Sequence, residues 1–326
     1  MSTIKDVAKK ANVSVATVSR VINNTGYVNH ETKKLVVDAI EALGYVPNEL
    51  ARSLFLKQSK IIGMIVPHIS TIFFASLIEA IEDVLVTQGF KLMIFNSRDD
   101  VEREHMTIKV LSQYNIDGII LVANTKSIKD YQALNIPMIT IDHQVGKDIP
   151  SVTSDNYLGG QVAAITLIQE GAKNIIHFRG PSVLLTVTER ARGFYDALNA
   201  HNVTVNSFDL DFKKPDADDI AMFLKKHPEV DGIFCSSDII AINVIRVLHT
   251  LNKKIPDDVQ VIGFDNIELC DLVTPTLTSV AQPIDAIAVK AANNLLTLID
   301  KKPLEQTHII LPVNLVKRDS TKNNFK

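Results

Sequence analysis

From Lys60 onward, short apolar runs alternate with stretches of helical periodicity, and this alternation constrains the fold more than any other feature of the chain. The runs predict strands at Ile61 to Val66, Lys91 to Asn96, Gly118 to Val122, Met138 to Ile141, Asn174 to His177, Gly232 to Cys235 and Gln260 to Phe264. Helices fit between them at Phe73 to Gln88, Glu102 to Tyr114, Tyr157 to Glu170, Thr188 to His201, Asp216 to Lys226 and Asp238 to Leu251. Strand, crossover helix and strand in succession predict a mainly parallel sheet covered by helices. Residues 61 to 155 and 157 to 282 each supply one such unit. Two lobes with a cleft between them are the natural arrangement, and ligands of such sheets bind at the carboxyl ends of the strands.

The head of the chain follows a different rule. Ile4, Val7, Ala8 and Ala11 recur at helical spacing behind Thr3, whose hydroxyl can cap the first turn. Asn12 follows, a residue that tolerates the left-handed backbone of a tight turn. A second helix starts at Ser14 as cap and runs through Val15 to Ile22, with Val18 and Val21 facing inward and Val15, Ala16, Thr17, Ser19 and Arg20 available to a partner. A third, with Val36, Ala39, Ile40 and Leu43 on one face, is bracketed by Asn29 and Gly44. Three short helices around one small core suit a helix-turn-helix module, whose second helix lies in the DNA major groove.

Charge supports this division. The net charge of −3 over 326 residues conceals nine Lys or Arg against five acids in residues 1 to 60, which leaves +4 in the head and −7 in the other 266 residues. Phosphate contacts dominate DNA affinity, so a basic head on an acidic body fits a DNA reader attached to a sensor. No apolar run reaches membrane-spanning length and residues 2 to 10 are broken by four charged side chains, so the expected location is cytoplasmic and nucleoid-associated. Cys235 and Cys270 lack the paired spacing of a metal knuckle, and His105, His177 and His249 lie scattered without ligand spacing.

Three segments carry a specific resemblance: Thr3-Ile4-Lys5-Asp6-Val7-Ala8, Val13 through Asn23, and Pro47-Asn48-Glu49-Leu50-Ala51-Arg52-Ser53-Leu54. They resemble the DNA-binding head and hinge of the lactose-repressor (LacI) family, and the similarity extends over the whole chain. The resemblance implies an N-terminal all-α helix-turn-helix DNA-binding head plus an α/β two-lobed sensor like the periplasmic sugar-binding proteins, with three crossings between lobes. Residues 1–46 form the head, 47–57 the hinge helix and linker, 58–156 plus 284–306 the first lobe, and 157–283 plus 307–326 the second. Ile284 to Asp300 returns to the first lobe as a helix, and His308 to Val316 leads back to the second. Val15, Ala16 and Arg20 are expected at base edges, Arg20 as a bidentate partner of guanine. Thr17, Ser19 and Asn23 are expected on phosphates, and Thr3, Ser14, Asn48, Ala51 and Arg52 complete the DNA-binding set. Leu54 is the expected minor-groove wedge.

The loops after the strands carry the candidate effector pocket. Phe73 and Phe74 offer faces that stack on a sugar ring, although two Phe at a helix start can also be core. Asp142 and His143 follow the fourth strand, Asp155 and Asn156 sit at the first crossover, and Arg190 lies in the segment leading from loop to helix at Thr188 to Gly193. Phe212, Ser237, Asp238, Asp265 and Gln282 complete the set, with Asp238 equally suited to a helix cap. Carboxylates and amides there can bind vicinal hydroxyls, and Arg190 an anion or a hydroxyl pair.

The resemblance therefore implies a homodimeric, sugar-responsive repressor of a carbohydrate-utilisation operon, released from a pseudo-palindromic operator by its effector. Hinge and cleft look most like repressors of sucrose or ribose utilisation in Gram-positive bacteria. Thr71-Ile72, Asp142-His143 and Ser237-Asp238 depart from the ribose pattern, which places a sucrose-derived or fructose-type effector ahead of ribose. For a phosphorylated effector, Arg190, His143 and helix N-termini are the available anion partners. Corepressor-dependent regulators of purine or catabolite-control type, and a free-standing sugar-binding protein, are the alternatives. A phosphoprotein corepressor has no readable signature. No nucleophile elbow, Walker loop, dinucleotide fingerprint or His-Glu-x-x-His occurs, so neither catalytic residues nor a cofactor or metal are expected. Gly159-Gly160 opens a helix without the rest of a dinucleotide fingerprint. No heptad tail follows Arg318, against a tetramerising coiled coil.

Overall fold

The computed structural model describes residues 2–46, 58–122, 128–145, 148–212 and 215–322. It divides into a unit of residues 1–60 and a second unit from Ile61 onward. The expected hinge and wedge residues Asn48, Ala51, Arg52 and Leu54 lie outside the described residues.

The head comprises α1 (Ile4–Lys10), α2 (Val15–Asn23) and α3 (His30–Leu43). Each predicted cap is made. The Thr3 hydroxyl and the Asp6 carboxylate form a reciprocal capping box, Ser14 accepts from the Thr17 N–H, and Asn29 accepts from the Thr32 N–H. Asn12 turns the chain at φ 54°, and Gly44 ends α3 in the left-handed conformation. Val7, Ala8, Ala11, Val18, Val36 and Ala39 are buried together at the centre.

The second unit contains two six-stranded sheets. The first is built from β1 (Ile61–Val66), β2 (Lys91–Asn96), β3 (Gly118–Leu121), β4 (Met138–Ile141), β5 (Ser151–Ser154) and β11 (His308–Leu311), all parallel, in the order β11-β5-β4-β3-β1-β2. The second contains β6 (Ile175–Arg179), β7 (Val205–Asp209), β8 (Gly232–Cys235), β9 (Gln260–Asp265), β10 (Thr278–Ala281) and β12 (Asn314–Val316), in the order β12-β10-β9-β8-β6-β7. Among the described residues, β12 alone is antiparallel to its neighbour, β10. Strands such as Ile61–Val66 read as continuous apolar runs because helices cover both faces of the sheet. The intervening helices are α4 (Ile72–Thr87), α5 (Val101–Gln113), α6 (Ile128–Ala133), α7 (Asn156–Gln169), α8 (Leu185–Ala200), α9 (Ala217–Lys226), α10 (Asp238–Thr250) and α11 (Ile284–Ile299). Six correspond to the helices expected between the predicted strands, and α11 to the expected return helix.

Two differences from expectation have physical causes. Strands Ser151–Ser154, Val205–Asp209 and Thr278–Ala281 are rich in polar residues and carry no apolar run. They form because adjacent strands supply the ladder and because their buried hydroxyls find partners, such as Ser151 on His308 and Ser154 on Gln282. The second concerns the last crossing. His308–Leu311 was expected in the second lobe, yet it pairs in parallel with Ser151–Ser154, register His308↔Ser151 to Leu311↔Ser154. The first lobe therefore extends to Leu311, and the chain crosses between Leu311 and Asn314. The Asp155 N–H donates to the Leu311 carbonyl at 2.8 Å, tying this crossing to the first one.

Helices α7 and α8 pack with their backbones in contact. A Cβ on Gly160 would fall 2.0 Å from the Arg190 carbonyl oxygen, and one on Gly193 would fall 1.9 Å from the Tyr157 carbonyl oxygen. On the preceding residue, a Cβ at Gly159 would lie 2.5 Å from the Phe264 ring. These glycines hold α8 against the core of the second lobe, and α8 carries Arg190.

Candidate functional site

In the head, the expected recognition face of α2 is solvent-facing. Val15, Ala16 and Arg20 are exposed while Val18 is buried. The Ser14 and Thr17 hydroxyls lie 2.9 Å apart, and the Asn23 amide donates to the Ser19 hydroxyl at 3.2 Å, so these polar groups are held in place before any partner arrives. Hydrogen bonds from Thr3 lower the Asp6 carboxyl below its ordinary range. Tyr27, absent from the sequence-based set, is 91% exposed just beyond Gly26.

In the sensor, Arg190 is the centre of the candidate site. It sits within α8, not in the loop-to-helix segment expected, and is only 4% exposed. Its Nε donates to Asn156 Oδ1 at 2.8 Å, its Nη1 donates to the Ser236 carbonyl at 2.6 Å, and its Nη1 lies 3.6 Å from Asp265 Oδ1. The guanidinium also lies over the Phe264 ring, 3.7 Å from its centroid. Asn156, Ser236 and Phe264 thus orient this side chain; Asn156 was legible at the crossover, whereas a backbone carbonyl leaves no mark in a sequence.

Asp265 closes β9 at φ 113° and faces Arg190 from the second sheet. Its Oδ1 accepts from the Gln282 amide at 2.7 Å, and the Gln282 carbonyl oxygen accepts from the Ser154 hydroxyl at 2.8 Å. Ser154 ends β5 of the first sheet. A run of short polar contacts therefore leads from Arg190 through Asp265 and Gln282 into the other lobe, beside the first two crossings.

Asp142 follows β4 in the left-handed region, φ 72°. Burial pushes its carboxyl up, against the pull of Arg190 and His143. Burial pushes the His143 imidazole down, so the ring is neutral near pH 7. Its Nδ1 lies 3.1 Å from the Ile141 carbonyl, which can only accept, so Nδ1 carries the proton and Nε2 is a bare acceptor. That buried Nε2 has no hydrogen-bond partner among the described residues.

The remaining expected residues make contacts of other kinds. Ser237 caps α10 through the Ile240 N–H. Asp238 is fully buried: its Oδ1 accepts from the Ser279 hydroxyl at 2.6 Å and its Oδ2 from the Ile267 N–H at 2.9 Å. It is a strut holding the loop after β9, neither the cap nor an open contact. Burial raises its carboxyl to about 6 despite these bonds. Asp155 caps α7 through the Leu158 N–H. Phe73 joins the buried face of α4 with Leu77, Ile81 and Leu85, whereas Phe74 is half-buried with its ring 5.4 Å from that of Phe73 in an edge contact. Phe212 is half-buried, its ring over Gly180, where a Cβ would come within 2.1 Å.

Burial raises Asp265 to about 8, with Asp238 and Asp142 adding to the rise and Arg190 and Gln282 opposing it. An unfolded Asp titrates near ~3.9. Between those values the folded chain holds one proton more than the unfolded one, so this group's contribution to stability falls as pH rises from about 4 to about 8 and levels off above. Asp265→Asn is expected to match the wild type near pH 4 and to gain on it by about one to a few kcal/mol by pH 8 in urea melts. An unchanged difference between the two pH values shows instead that Asp265 is ionised throughout.

Residues 3–48 match the family model for bacterial regulatory proteins of the lacI family, and residues 164–321 match that for a periplasmic binding protein-like domain. The chain is 40% identical over 323 residues to the ribose operon repressor of Halalkalibacterium halodurans, covering 99% of this chain and 98% of the relative. It is 38% identical over 319 residues to the sucrose operon repressor of Pediococcus pentosaceus, covering 96% and 98%. A solved periplasmic binding protein/LacI transcriptional regulator from Alkaliphilus metalliredigens, complexed with D-xylulofuranose, is similar at a TM-score of 0.75 and 30% identity over 81% of this chain and 100% of that one. With a capped helix-turn-helix head, a two-sheet sensor and full-length relatives of this kind, the chain belongs to the lacI family of bacterial transcriptional regulators.

Proposed function

We propose that this protein is a homodimeric repressor of a carbohydrate-utilisation operon whose effector is a free, unphosphorylated furanose-sized sugar, bound around Arg190 and Asp265. The buried Arg190–Asp265 pair, continued through Gln282 to Ser154, is the observation that carries this reading. These polar groups lie at the carboxyl ends of strands and connect across the lobes, which supports sugar binding there.

The local charge favours a neutral ligand. Of the expected anion partners, Arg190 already holds Asn156, Ser236 and Asp265, and His143 is a neutral acceptor. The burial that pushes Asp142, Asp238 and Asp265 up equally disfavours the added negative charge of a phosphate there. A hydroxyl, by contrast, can donate to His143 Nε2 and to the carboxyls. Two relationships move a five-carbon sugar ahead of the sucrose- or fructose-type effector. One is the likeness to a ribose operon repressor, and the other is the likeness to a regulator that holds D-xylulofuranose.

The mechanism follows the family. Two heads read two half-sites related by the dimer axis. Sugar between the lobes alters the Asp265–Gln282–Ser154 connection and shifts one lobe against the other, lowering operator affinity. A coupling of about 1–3 kcal/mol changes that affinity roughly 5- to 150-fold. In the head, Arg20 reads a base edge, Val15 and Ala16 make apolar contacts, and Thr17, Ser19 and Asn23 hold the backbone. Arg20→Ala is expected to cost about 1–3 kcal/mol and to relax choice at one operator position. Equal losses across single-base operator variants would assign Arg20 to phosphate contact instead.

Calorimetric titration of the full-length protein with ribose, D-xylulose, fructose, sucrose, ribose 5-phosphate, sucrose 6-phosphate and hypoxanthine tests the effector, followed by operator binding with each ligand that registers. Binding of a free pentose that weakens the DNA complex supports the reading. Tight binding of a phosphorylated sugar or a purine, or an effector that strengthens the DNA complex, overturns it.

A further inference from the structure

Helix α8 has a second lined face. One face carries Arg190 into the sugar site, and another borders a groove of about 490 Å³ whose floor is Val187 and Ala191. That volume lies within the usual range of small-ligand sites, roughly 300–1,000 Å³. Two guanidiniums, of Arg179 and Arg192, line the groove against one carboxylate, Asp196, which already accepts from the Tyr157 hydroxyl at 2.9 Å. Both arginines are held in place from outside the lining. Arg179 Nε donates to Asp209 at 2.6 Å, and Arg192 donates to Glu189 while lying 4.4 Å over the Tyr157 ring. The guanidinium nitrogens that Asp209 and Glu189 do not engage, beside the Ser182 and Tyr195 hydroxyls and above an apolar floor, suit a small ester of phosphate.

The groove also connects to the sugar site through buried polar groups that the proposed effector chemistry leaves unused. The Tyr195 hydroxyl lies 3.1 Å from His177 Nδ1, and His177 Nε2 lies 2.9 Å from the Ser236 hydroxyl. The Ser236 carbonyl accepts from Arg190. His177 is fully buried against the Phe194 and Phe234 rings, and burial holds it neutral, so it serves as a fixed polar link.

We propose that this groove is a second ligand site, for a small phosphate monoester, which adjusts sugar affinity through α8 and the Tyr195–His177–Ser236 link to Arg190. The adjustment of sugar affinity rests on the sugar reading above; occupancy of the groove does not.

Glycerol 3-phosphate is titrated into the full-length protein at constant ionic strength, with citrate as the carboxylate arm and sodium chloride as the control. The titration is repeated with Arg179→Gln/Arg192→Gln and with Tyr195→Phe, and ribose affinity is measured with and without the ester. The expected result is saturable binding of one glycerol 3-phosphate per protomer, a shift of threefold or more in ribose affinity, and loss of both in the double arginine variant. Ribose affinity without the ester stays unchanged in that variant. Tyr195→Phe is expected to weaken ester binding without abolishing it, and at saturating ester to lose the effect on ribose. No saturable binding, binding that survives the double substitution, or preference for citrate overturns the site. Ester binding by a protein that binds no sugar supports the site and overturns the sugar reading.

Discussion

Alanine at Gly160 is expected to lower the melting temperature of the sensor and weaken sugar binding at least tenfold, while leaving operator recognition by the head in place. The added methyl group would fall 2.0 Å from the Arg190 carbonyl oxygen and 2.7 Å from the Phe194 nitrogen, and both are backbone atoms of α8. Backbone cannot rotate away as a side-chain tip can, so the two helices must part by about an ångström or α8 must bend. Overpacking of this kind costs at least about 1–3 kcal/mol. For a unit of this size that is roughly 2–12 °C in melting temperature. The displaced residue is Arg190 itself, and a misplacement of about 1 Å is enough to spoil an oriented polar site. Gly193→Ala meets the mirror obstacle at the Tyr157 carbonyl and is expected to behave alike. Ile165→Ala, on an exposed part of α7, supplies the control, and its effect should stay within about 0.5 kcal/mol. A Gly160→Ala protein with wild-type melting and sugar binding would show that the helices tolerate separation and that Arg190 is not held by their contact.

Arg190→Ala is expected to abolish the sugar response and to lower sensor stability by about 3–5 kcal/mol, the usual cost of removing one partner from a buried charged pair. Three groups lose their donor or counter-charge: Asn156 Oδ1, the Ser236 carbonyl and Asp265. The cost is moderated because Asp265, already raised to about 8, can remain protonated at neutral pH. Arg190→Lys keeps the charge without the planar fork, so it should recover part of the stability and none of the sugar binding. Thermal melts and sugar titration separate the two effects. An Arg190→Ala protein that still releases operator at the wild-type sugar concentration would place the effector elsewhere.

The head was legible because its determinants are local. Thr3, Ser14 and Asn29 cap within three residues of themselves, and Asn12 turns the chain where a short polar side chain at that position predicts it. Most helices of the sensor were likewise recovered within a residue or two, since an apolar stripe marks them. Strands Ser151–Ser154 and Thr278–Ala281 were not, because a short polar strand is specified by the neighbours that pair with it. For the same reason the run Ile309-Ile310-Leu311 could not reveal which sheet it would join. In the site, Arg190, Asp265 and Gln282 were identifiable by residue type and position after strands, and the structure brings them together. Asp238 shares those attributes, yet its bonds to Ser279 and Ile267 make it a support, a distinction set by residues 29 and 41 positions away. Gly159-Gly160 was notable only as an incomplete nucleotide fingerprint; its use, close approach of α7 to Phe264 and α8, exists only in three dimensions.

The late return of the chain to its first sheet governs the order in which a newborn molecule acquires its abilities. The head is complete after residue 46, whereas the edge strand His308–Leu311 of the first lobe is made about 262 residues later. At about 5–20 residues per second, the interval between them is roughly 13 to 53 s. During that time a ribosome displays a folded DNA-reading module on a chain that cannot yet sense sugar. A transcript cut short before residue 308 would leave that state permanent. The strand that completes the first lobe thus makes regulation mature later than DNA contact during synthesis.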